Sequence, residues 1–302
     1  MTAAFHPASP AATSSAGLLS IEQAHQAIAQ LLNPLGPVTG IEQLALLDAQ
    51  GRVLAQDIIS PVNVPPHDNS AMDGYAFTGA QLASAPADQP LLLQVLGTVV
   101  AGKPWAGGLL QSGQCLKIMT GAVMPAGADT VVPYERVNVL SDTEIEITSQ
   151  SIKAGANCRL AGEDLRAGAI ALPAGVILNA ASLGLIASLG MPTAPVRRKL
   201  RVAYFSTGDE ILAPGSKARE GAIFDSNRYS LMALLKQLGA EVQDLGGVAD
   251  DALQLQQKLQ QAATCADVVL TSGGISAGEA DHTRAVLQQL GEMHFWRLAM
   301  RP

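Results

Sequence analysis

The feature that most constrains the fold is an alternation of apolar, β-rich runs and amphipathic helical segments in about the last hundred residues. The strand-like runs are LRVAYFS, EVQDLGGV, DVVLTSG and HFWRLAM, and the helical segments are SNRYSLMALLKQLGA, ALQLQQKLQQAAT and DHTRAVLQQLG. Strands separated by helices of this length are joined in parallel by right-handed crossovers. We therefore predict an α/β domain with a mostly parallel sheet over residues 196–302.

Residues 18–195 follow a different pattern. Ser20 with Gln23 three residues later forms a capping box that opens the helix SIEQAHQAIAQLL, and LLDAQGRVLAQDI is interpreted as a second helix. From about residue 66 to 152, short apolar runs alternate with Gly, Pro and Ser, and VNVLSDTEIEIT predicts a hairpin around a Ser-Asp turn.

These patterns predict an α/β multidomain protein. Its N-terminal helical and linker part carries an inserted all-β domain, and a three-layer α/β domain follows. The Ala-, Ser- and Pro-rich residues 1–17 are expected to be a disordered tail.

Composition narrows the class of protein. The chain has 302 residues, of which 48% are hydrophobic and 15% charged, which favours packed domains over disorder. Its net charge of −7 gives no electrostatic reason to bind nucleic acid or an anionic membrane. No apolar stretch reaches the ~18–20 residues of a membrane span, and the N-terminus does not resemble a signal peptide.

The three cysteines, Cys115, Cys158 and Cys265, include no C-x-x-C pair, so they indicate neither a zinc site nor a disulfide framework. We expect a cytoplasmic protein with reduced, structural thiols.

Two Gly-rich turns follow predicted strands of the α/β domain. In open parallel sheets, ligands bind at the carboxyl ends of the strands, and exposed backbone amides with hydroxyls favour a phosphate-like anion. The alternative is a pair of tight turns without a ligand. Neither turn matches G-x-x-x-x-G-K-[ST] or G-x-G-x-x-G, which disfavours an ordinary nucleotide fold. The candidate anion-binding residues are Ser206, Thr207, Gly208, Ser272, Gly273, Gly274, Ser276 and Gly278.

Carboxylates cluster near these turns. Taken singly, an Asp beside Gly or Asn is usually part of a turn. Three strand ends of one sheet that deliver carboxylates to the same edge suit a hard cation, and we expect Mg²⁺ bridging to phosphate. The acidic residues concerned are Glu210, Asp225, Asp250, Asp251 and Asp281.

Eight motifs, in this order, resemble one known family. They are DNSAMDGYAF, GTVVAGKPW, IMTGAVMPAGADTVVPYE, GEDLRAG, STGDEI, FDSNRYSL, TSGGISAGEADHT and FWRLAMRP. From about residue 18 onwards the chain resembles the MoeA family of molybdopterin molybdenumtransferases, which is related to the E domain of gephyrin.

The resemblance implies an elongated multidomain protomer that forms a homodimer. It implies an active site between the molybdopterin-binding α/β domain of one subunit and the N-terminal part of its partner. The implied reaction inserts molybdate into adenylated molybdopterin in a Mg²⁺-dependent step that releases AMP. A further implied partner is the molybdopterin adenylyltransferase.

The resemblance also carries residue roles onto this sequence. Glu210, Asp250 and Asp281 are the implied metal ligands and coincide with the acidic edge described above. Arg297 and Arg301 stand where the family usually has lysines, so the positive charge is kept but lies on a wider guanidinium group. The implied catalytic residues are Asp68, Thr120, Asp164, Glu210, Asp250 and Asp281.

In the family, a Gly-Lys-Pro stretch, the rest of the α/β domain and a C-terminal β-barrel domain follow. We expect this form to lack them and to be a poor catalyst for that reason.

Two alternative functions stay open. One is a non-catalytic scaffold form, which the gephyrin relationship permits. The other is the molybdopterin adenylyltransferase reaction, because the TSGG-containing domain is shared by both enzymes. The acidic cluster argues against a pure scaffold, and the DNSAMDG-bearing N-terminal region favours the molybdate insertase.

Overall fold

A computed structural model describes residues 19–84, 89–148, 152–273, 282–294 and 298–299. The chain divides into two compact units, one made of Met1–Ile41 with Arg197–Pro302 and the other of Glu42–Val196. Within the described ranges, no helix combines the length and the apolar character needed to cross a membrane.

Six α-helices are described: α1 Ile21–Leu32, α2 Ala80–Ser84, α3 Ala180–Ser188, α4 Ser226–Gln237, α5 Ala252–Cys265 and α6 His282–Leu290. Strands of the unit Glu42–Val196, with the strands at its boundary, are β1 Ile41–Ala45, β2 Ile58–Ile59, β3 Asn69–Ser70, β4 Gly74–Phe77, β5 Leu91–Val99, β6 Gln114–Ile118, β7 Thr130–Pro133, β8 Val137–Ser141, β9 Glu144–Ile147, β10 Cys158–Arg159, β11 Ile170–Leu172 and β12 Thr193–Arg197. The strands that follow are β13 Arg201–Thr207, β14 Ile211–Leu212, β15 Ile223–Phe224, β16 Glu241–Val248 and β17 Val268–Ser272.

The middle of the unit Glu42–Val196 is a six-stranded sheet in the order β7-β4-β6-β5-β9-β8. Its pairs are antiparallel except for β5 with β6, which run parallel. The predicted hairpin is confirmed: β8 pairs with β9, and Ile145 and Ile147 are buried while Glu144 points to solvent. The short helix α2 lies within the segment predicted to be all-β, so that segment is not exclusively β.

A second core of the same unit contains the segment LLDAQGRVLAQDI, for which the helix prediction is wrong. Only Leu46–Ala49 is helical, as a 3-10 turn. Gly51 follows with φ of +73°, and the backbone N–H of Leu54 donates to the carbonyl of Val176 at 2.9 Å. The apolar residues have helical spacing, but the glycine ends the turn and the side chain of Leu54 is buried in a core shared with α3.

The α/β unit contains a three-stranded sheet in the order β16-β13-β17, and both pairs are parallel. The predicted strands and helices from residue 201 to 290 lie where the alternation placed them. On one face, Phe205 packs against α5 and α6 through Leu255, Leu259 and Val286. HFWRLAM lies mostly outside the described residues, and Leu298 forms a parallel bridge to Leu19.

The predicted capping box at the N-terminus of α1 is also confirmed. The backbone N–H of Gln23 donates to the Ser20 hydroxyl at 3.2 Å, and the Ser20 N–H donates to Oε1 of Gln23 at 2.8 Å. Two N–H groups of the first turn are thereby satisfied.

Candidate functional site

In the unit Glu42–Val196, a short antiparallel ladder joins the DNSAMDG and GED segments. Strand β3 pairs with β10, so that Asn69 lies opposite Arg159. Oδ1 of Asp68 accepts the backbone N–H of Ala161 at 2.7 Å. The ladder therefore brings Asp68 close to the turn that carries Asp164, although the two residues are far apart in the chain.

Arg159 holds the acidic end of that turn. Its Nε donates to Oε1 of Glu163 at 2.6 Å, and its Nη2 donates to Oδ2 of Asp164. The hydrogen bond from Arg159, with a further one from the backbone N–H of Leu160, lowers the pKa of the Glu163 carboxyl. The Asp164 side chain is still 54% exposed, so it can contact a ligand.

The loop that carries Thr120 is attached to the same region. The N–H of Ser70 donates to the carbonyl of Ala122 at 2.9 Å, and the N–H of Gly121 donates to the carbonyl of Ser70 at 2.8 Å. The structure thus brings the segments of Asp68, Thr120 and Asp164 together on one unit.

Sequence reasoning did not assign a role to Asp73 or Arg159. Oδ1 of Asp73 accepts both the N–H and the hydroxyl of Thr120, at 2.7 and 2.8 Å. These two bonds lower the pKa of the Asp73 carboxyl. The sequence signal for Asp73 is that it is the second acidic residue of the motif D-N-S-A-M-D-G. The sequence signal for Arg159 is the pair of acidic residues that follows it four and five positions later.

A cleft of about 590 Å³ opens beside Met72, in the same loop. Volumes of this size are common for small-molecule sites. Its polar lining includes Glu135, Arg136, Lys153 and Asn157, and none of the predicted site residues lines it.

The Cys115 thiol belongs to the hydrophobic core. The side chain is fully buried in the core of the six-stranded sheet, and burial raises its pKa to about 12. The thiol is therefore protonated at neutral pH and is a poor nucleophile.

In the α/β unit, the described parts of the two Gly-rich turns lie at one edge of the sheet. Ser206 is in register with Ser272, and Thr207 is in register with Val248. The N–H of Gly208 donates to the carbonyl of Val248 at 3.2 Å. The ends of β13, β16 and β17 therefore meet there.

Gly273 is required by close packing at this edge. Its φ is +87°, and a Cβ atom at this position would lie 2.1 Å from the carbonyl oxygen of Thr207. Only glycine allows the two turns to approach this closely.

The acidic residues of this edge separate into two groups. Asp225 and Asp251 are helix caps, since their Oδ1 atoms accept the N–H groups of Arg228 at 3.1 Å and Gln254 at 2.8 Å. Glu210 and Asp250 are exposed. Asp250 is held against the first turn because its N–H donates to Oδ1 of Asp209 at 3.3 Å.

Six predicted site residues lie outside the described ranges: Gly274, Ser276, Gly278, Asp281, Arg297 and Arg301. Among the residues that the structure describes, no three His, Cys, Asp or Glu side chains are grouped to hold a metal ion. The predicted Mg²⁺ ligands include Asp281, so the set of three stays a prediction.

Comparison with protein families gives two matches. Residues 19–190 match "MoeA N-terminal region (domain I and II)", and residues 203–302 match "Probable molybdopterin binding domain".

Comparison with individual proteins points to the same family. The chain is 40% identical over 285 residues to the molybdopterin molybdenumtransferase of Haemophilus influenzae, covering 94% of this chain and 68% of that protein. It is 37% identical to the protein of the same name from Nostoc, covering 94% of this chain and 64% of that one. The solved structure of a molybdopterin biosynthesis moea protein from Pyrococcus horikosii superposes with a TM-score of 0.78 at 32% identity, covering 91% of this chain and 67% of that chain.

The chain spans about two thirds of the length of these relatives. The two matched regions and the similarity to these relatives extend over nearly all of its own length. The chain therefore belongs to the MoeA family, whose members among these relatives are named molybdopterin molybdenumtransferase.

Proposed function

We propose that this protein inserts molybdate into adenylated molybdopterin and releases AMP, forming molybdenum cofactor. Family membership supports the pathway. The proposal of this reaction rests on one observation. The exposed carboxylates Glu210 and Asp250 lie at the same sheet edge as two turns that contain hydroxyl residues. A scaffold has no need of that combination.

The turns of the α/β unit suit the anionic parts of the substrates. Ser272 supplies a hydroxyl on a partly buried residue, whereas the Thr207 hydroxyl donates to the carbonyl of Ser272 and the Ser206 side chain is buried. Gly273 lets the two turns pack together, which fixes the position of Ser272. Molybdate is a dianion and the adenylated pterin carries phosphates, so the protein must offset their repulsion. Fixed donors that need no reorganisation are effective in this role. The undescribed part of the second turn, with Arg297 and Arg301, would add to it.

A Mg²⁺ ion is compatible with the donors present at this edge. Glu210 and Asp250 provide exposed carboxylate oxygens, which are the ligands that hard cations prefer. Oε2 of Glu210 lies so close to Gly208 that a Cβ there would be 2.5 Å from it, so the carboxylate lies directly at the turn. Glu210, Asp250 and Asp281 would hold the ion. When bound, it would neutralise phosphate charge and polarise the phosphoanhydride.

The constellation on the other unit differs in chemistry. Thr120 uses both its N–H and its hydroxyl proton on Asp73, so its hydroxyl has only acceptor capacity left for a ligand. Asp68 and Asp164 add negative charge. This group therefore favours a ligand group that donates hydrogen bonds, such as the N–H groups of a pterin.

The functional form that we propose is a cytoplasmic homodimer, as the family resemblance implies. Molybdopterin adenylyltransferase would supply the adenylated substrate.

The test is to incubate the 302-residue chain with adenylated molybdopterin, molybdate and Mg²⁺, and to follow AMP and molybdenum cofactor. We expect both products, and a strong loss in Asp250→Asn but not in Asp142→Asn, a matched change in an exposed hairpin turn. AMP formation no faster than without protein would contradict the proposal. Pyrophosphate release from ATP and molybdopterin would instead favour the adenylyltransferase.

A further inference from the structure

The hydroxyls of Tyr204 and Ser272 lie 2.6 Å apart at the edge of the parallel sheet. We propose that Tyr204 is a positioning residue that orients the Ser272 hydroxyl so that its proton is donated to an anionic group of the bound ligand. The inference rests on the proposed function, in which that group is a phosphate of the molybdopterin.

Tyr204 is a fully buried residue of the central strand β13, and from sequence it is an apolar core position in the run LRVAYFS. It points to the face opposite that of Phe205, because neighbouring residues of a strand alternate. Ser206 lies two residues later, on the same face, and is in register with Ser272. The phenol therefore reaches Ser272 along that face of the sheet.

The direction of the hydrogen bond follows from the surroundings of the phenol. Burial raises the pKa of Tyr204, with the negative charges of Asp225 and Asp244 adding to the effect, so the phenol keeps its proton. Among the described residues, the Ser272 hydroxyl is the hydrogen-bond partner that the phenol has. The second oxygen of Asp225 is buried without a partner there, so the phenol does not donate to it.

If Ser272 donated to Tyr204, the phenol proton would be buried without an acceptor among the residues that the structure describes. Leaving a buried donor unsatisfied costs more than a typical hydrogen bond contributes. Tyr204 is therefore the donor and the Ser272 oxygen the acceptor. The proton of Ser272 then has no acceptor in the part of the chain that the structure describes, and it is available to a ligand.

The backbone of Ser272 is also held. Its carbonyl accepts the hydroxyl of Thr207 at 3.4 Å, and its side chain is only partly buried. With the backbone fixed and one lone pair taken by Tyr204, the hydroxyl proton can turn only to a restricted set of directions. A donor prepared in this way binds an anion without first losing its own rotational freedom.

The experiment is a double-mutant cycle with Tyr204→Phe, Ser272→Ala and the double variant, using molybdopterin and pyrophosphate as probes. We expect Tyr204→Phe to weaken binding of both probes about 3- to 10-fold, the range for one neutral hydrogen bond. Because Tyr204 acts through Ser272, the double variant should bind like Ser272→Ala alone. Tyr229→Phe, at a tyrosine 58% exposed in the same unit, is the matched control and should bind like wild type.

The outcomes separate the two proposals. Equal affinity of Tyr204→Phe and wild type would overturn the inference, and so would a Tyr204→Phe effect of the same size in the Ser272→Ala background, which would mark a purely structural role. If the wild-type protein binds pyrophosphate but not molybdopterin, and the variants show the expected pattern with pyrophosphate, the result would overturn only the proposed function. Binding of neither probe would overturn both. Urea denaturation of each variant checks that the fold is kept.

Discussion

Asp73 uses one carboxylate oxygen to accept two hydrogen bonds from Thr120, one from its backbone and one from its hydroxyl. The residues are 47 positions apart, and both are exposed. The relationship gives Asp73 a function that its place in the DNSAMDG motif does not reveal: it holds the loop that presents Thr120.

We expect Asp73→Ala to reduce turnover by about 10- to 100-fold, because small displacements of a positioned group have effects of that size. Asp73→Asn should lose less, since its amide oxygen can still accept both bonds. Steady-state AMP release measures the effect. Asp142→Ala, which removes an exposed carboxylate from the β8–β9 turn, should behave like wild type. Equal activity of Asp73→Ala and wild type would remove Asp73 from the site.

The adjacent residues Asp250 and Asp251 should separate catalysis from stability. Asp251 caps α5, so Asp251→Ala should lower the free energy of unfolding by about 1 kcal/mol and leave Mg²⁺-dependent turnover largely intact. Asp250→Asn should leave stability unchanged and lower turnover.

Urea denaturation and AMP release on both variants decide this prediction. The reverse pattern, with turnover lost in Asp251→Ala and kept in Asp250→Asn, would mean that Asp251 is the ligand and that the capping contact is incidental.

The three thiols should differ in reactivity. Cys115 is fully buried with its pKa raised to about 12, whereas Cys158 and Cys265 are partly exposed. We expect a disulfide reagent at pH 8 to modify at most two thiols in the folded protein and all three in denaturant. Cys115→Ala should leave the native count unchanged. A fall in that count would show that Cys115 is accessible.

Much of the fold could be predicted because its signals are local. The alternation of strands and helices after residue 200, the capping box at Ser20 and the β8–β9 hairpin each depend on residues close in sequence. The helix predicted for LLDAQGRVLAQDI was wrong because its apolar spacing is also satisfied by a 3-10 turn followed by residues that pair with distant segments.

The site was less predictable, because its defining contacts join distant segments. The bonds of Asp73 to Thr120 and of Tyr204 to Ser272 span 47 and 68 positions. Asp225 and Asp250 look alike in sequence, but Asp225 is buried and accepts the Arg228 N–H, whereas Asp250 is exposed.

The ion pair of Arg198 with Asp267 should make the α/β unit sensitive to acid. Hydrogen bonds from Arg198, with a further one from the backbone of Arg201, lower the pKa of Asp267 from 3.8 to about 2. Because the folded-state pKa lies below that of the unfolded chain, the stabilisation is complete above about pH 4. It is lost as the pH falls from about 4 towards 2.

At pH 7, Asp267→Asn should therefore lower the free energy of unfolding by about 2 kcal/mol, and the difference from wild type should shrink towards zero near pH 2. Urea denaturation at several pH values, followed by circular dichroism, measures it, with Asp142→Asn as the control. A difference that does not change with pH would rule out the ion pair as its cause.

Gly273 provides the sharpest test of the geometry at the sheet edge. Gly273→Ala places a methyl group 2.1 Å from the carbonyl oxygen of Thr207, at a φ of +87°. Gly246→Ala is the matched control, because its φ is +80° but nothing lies within 4 Å of the added Cβ. In this control the free energy of unfolding should fall by only about 1–2 kcal/mol, which is the cost of an alanine in the left-handed backbone region.

In Gly273→Ala the methyl group meets backbone, which cannot rotate away, so the two turns must separate. We expect a loss of about 3 kcal/mol in the free energy of unfolding from strain and overpacking together. We also expect weaker binding of pyrophosphate, because the Ser272 hydroxyl would be displaced from its position beside the Tyr204 hydroxyl, whereas Gly246→Ala should bind pyrophosphate like wild type. Equal stability and affinity of the two variants would show that the turns do not approach as closely as the structure has them, and the anion site at this edge would have to be built differently.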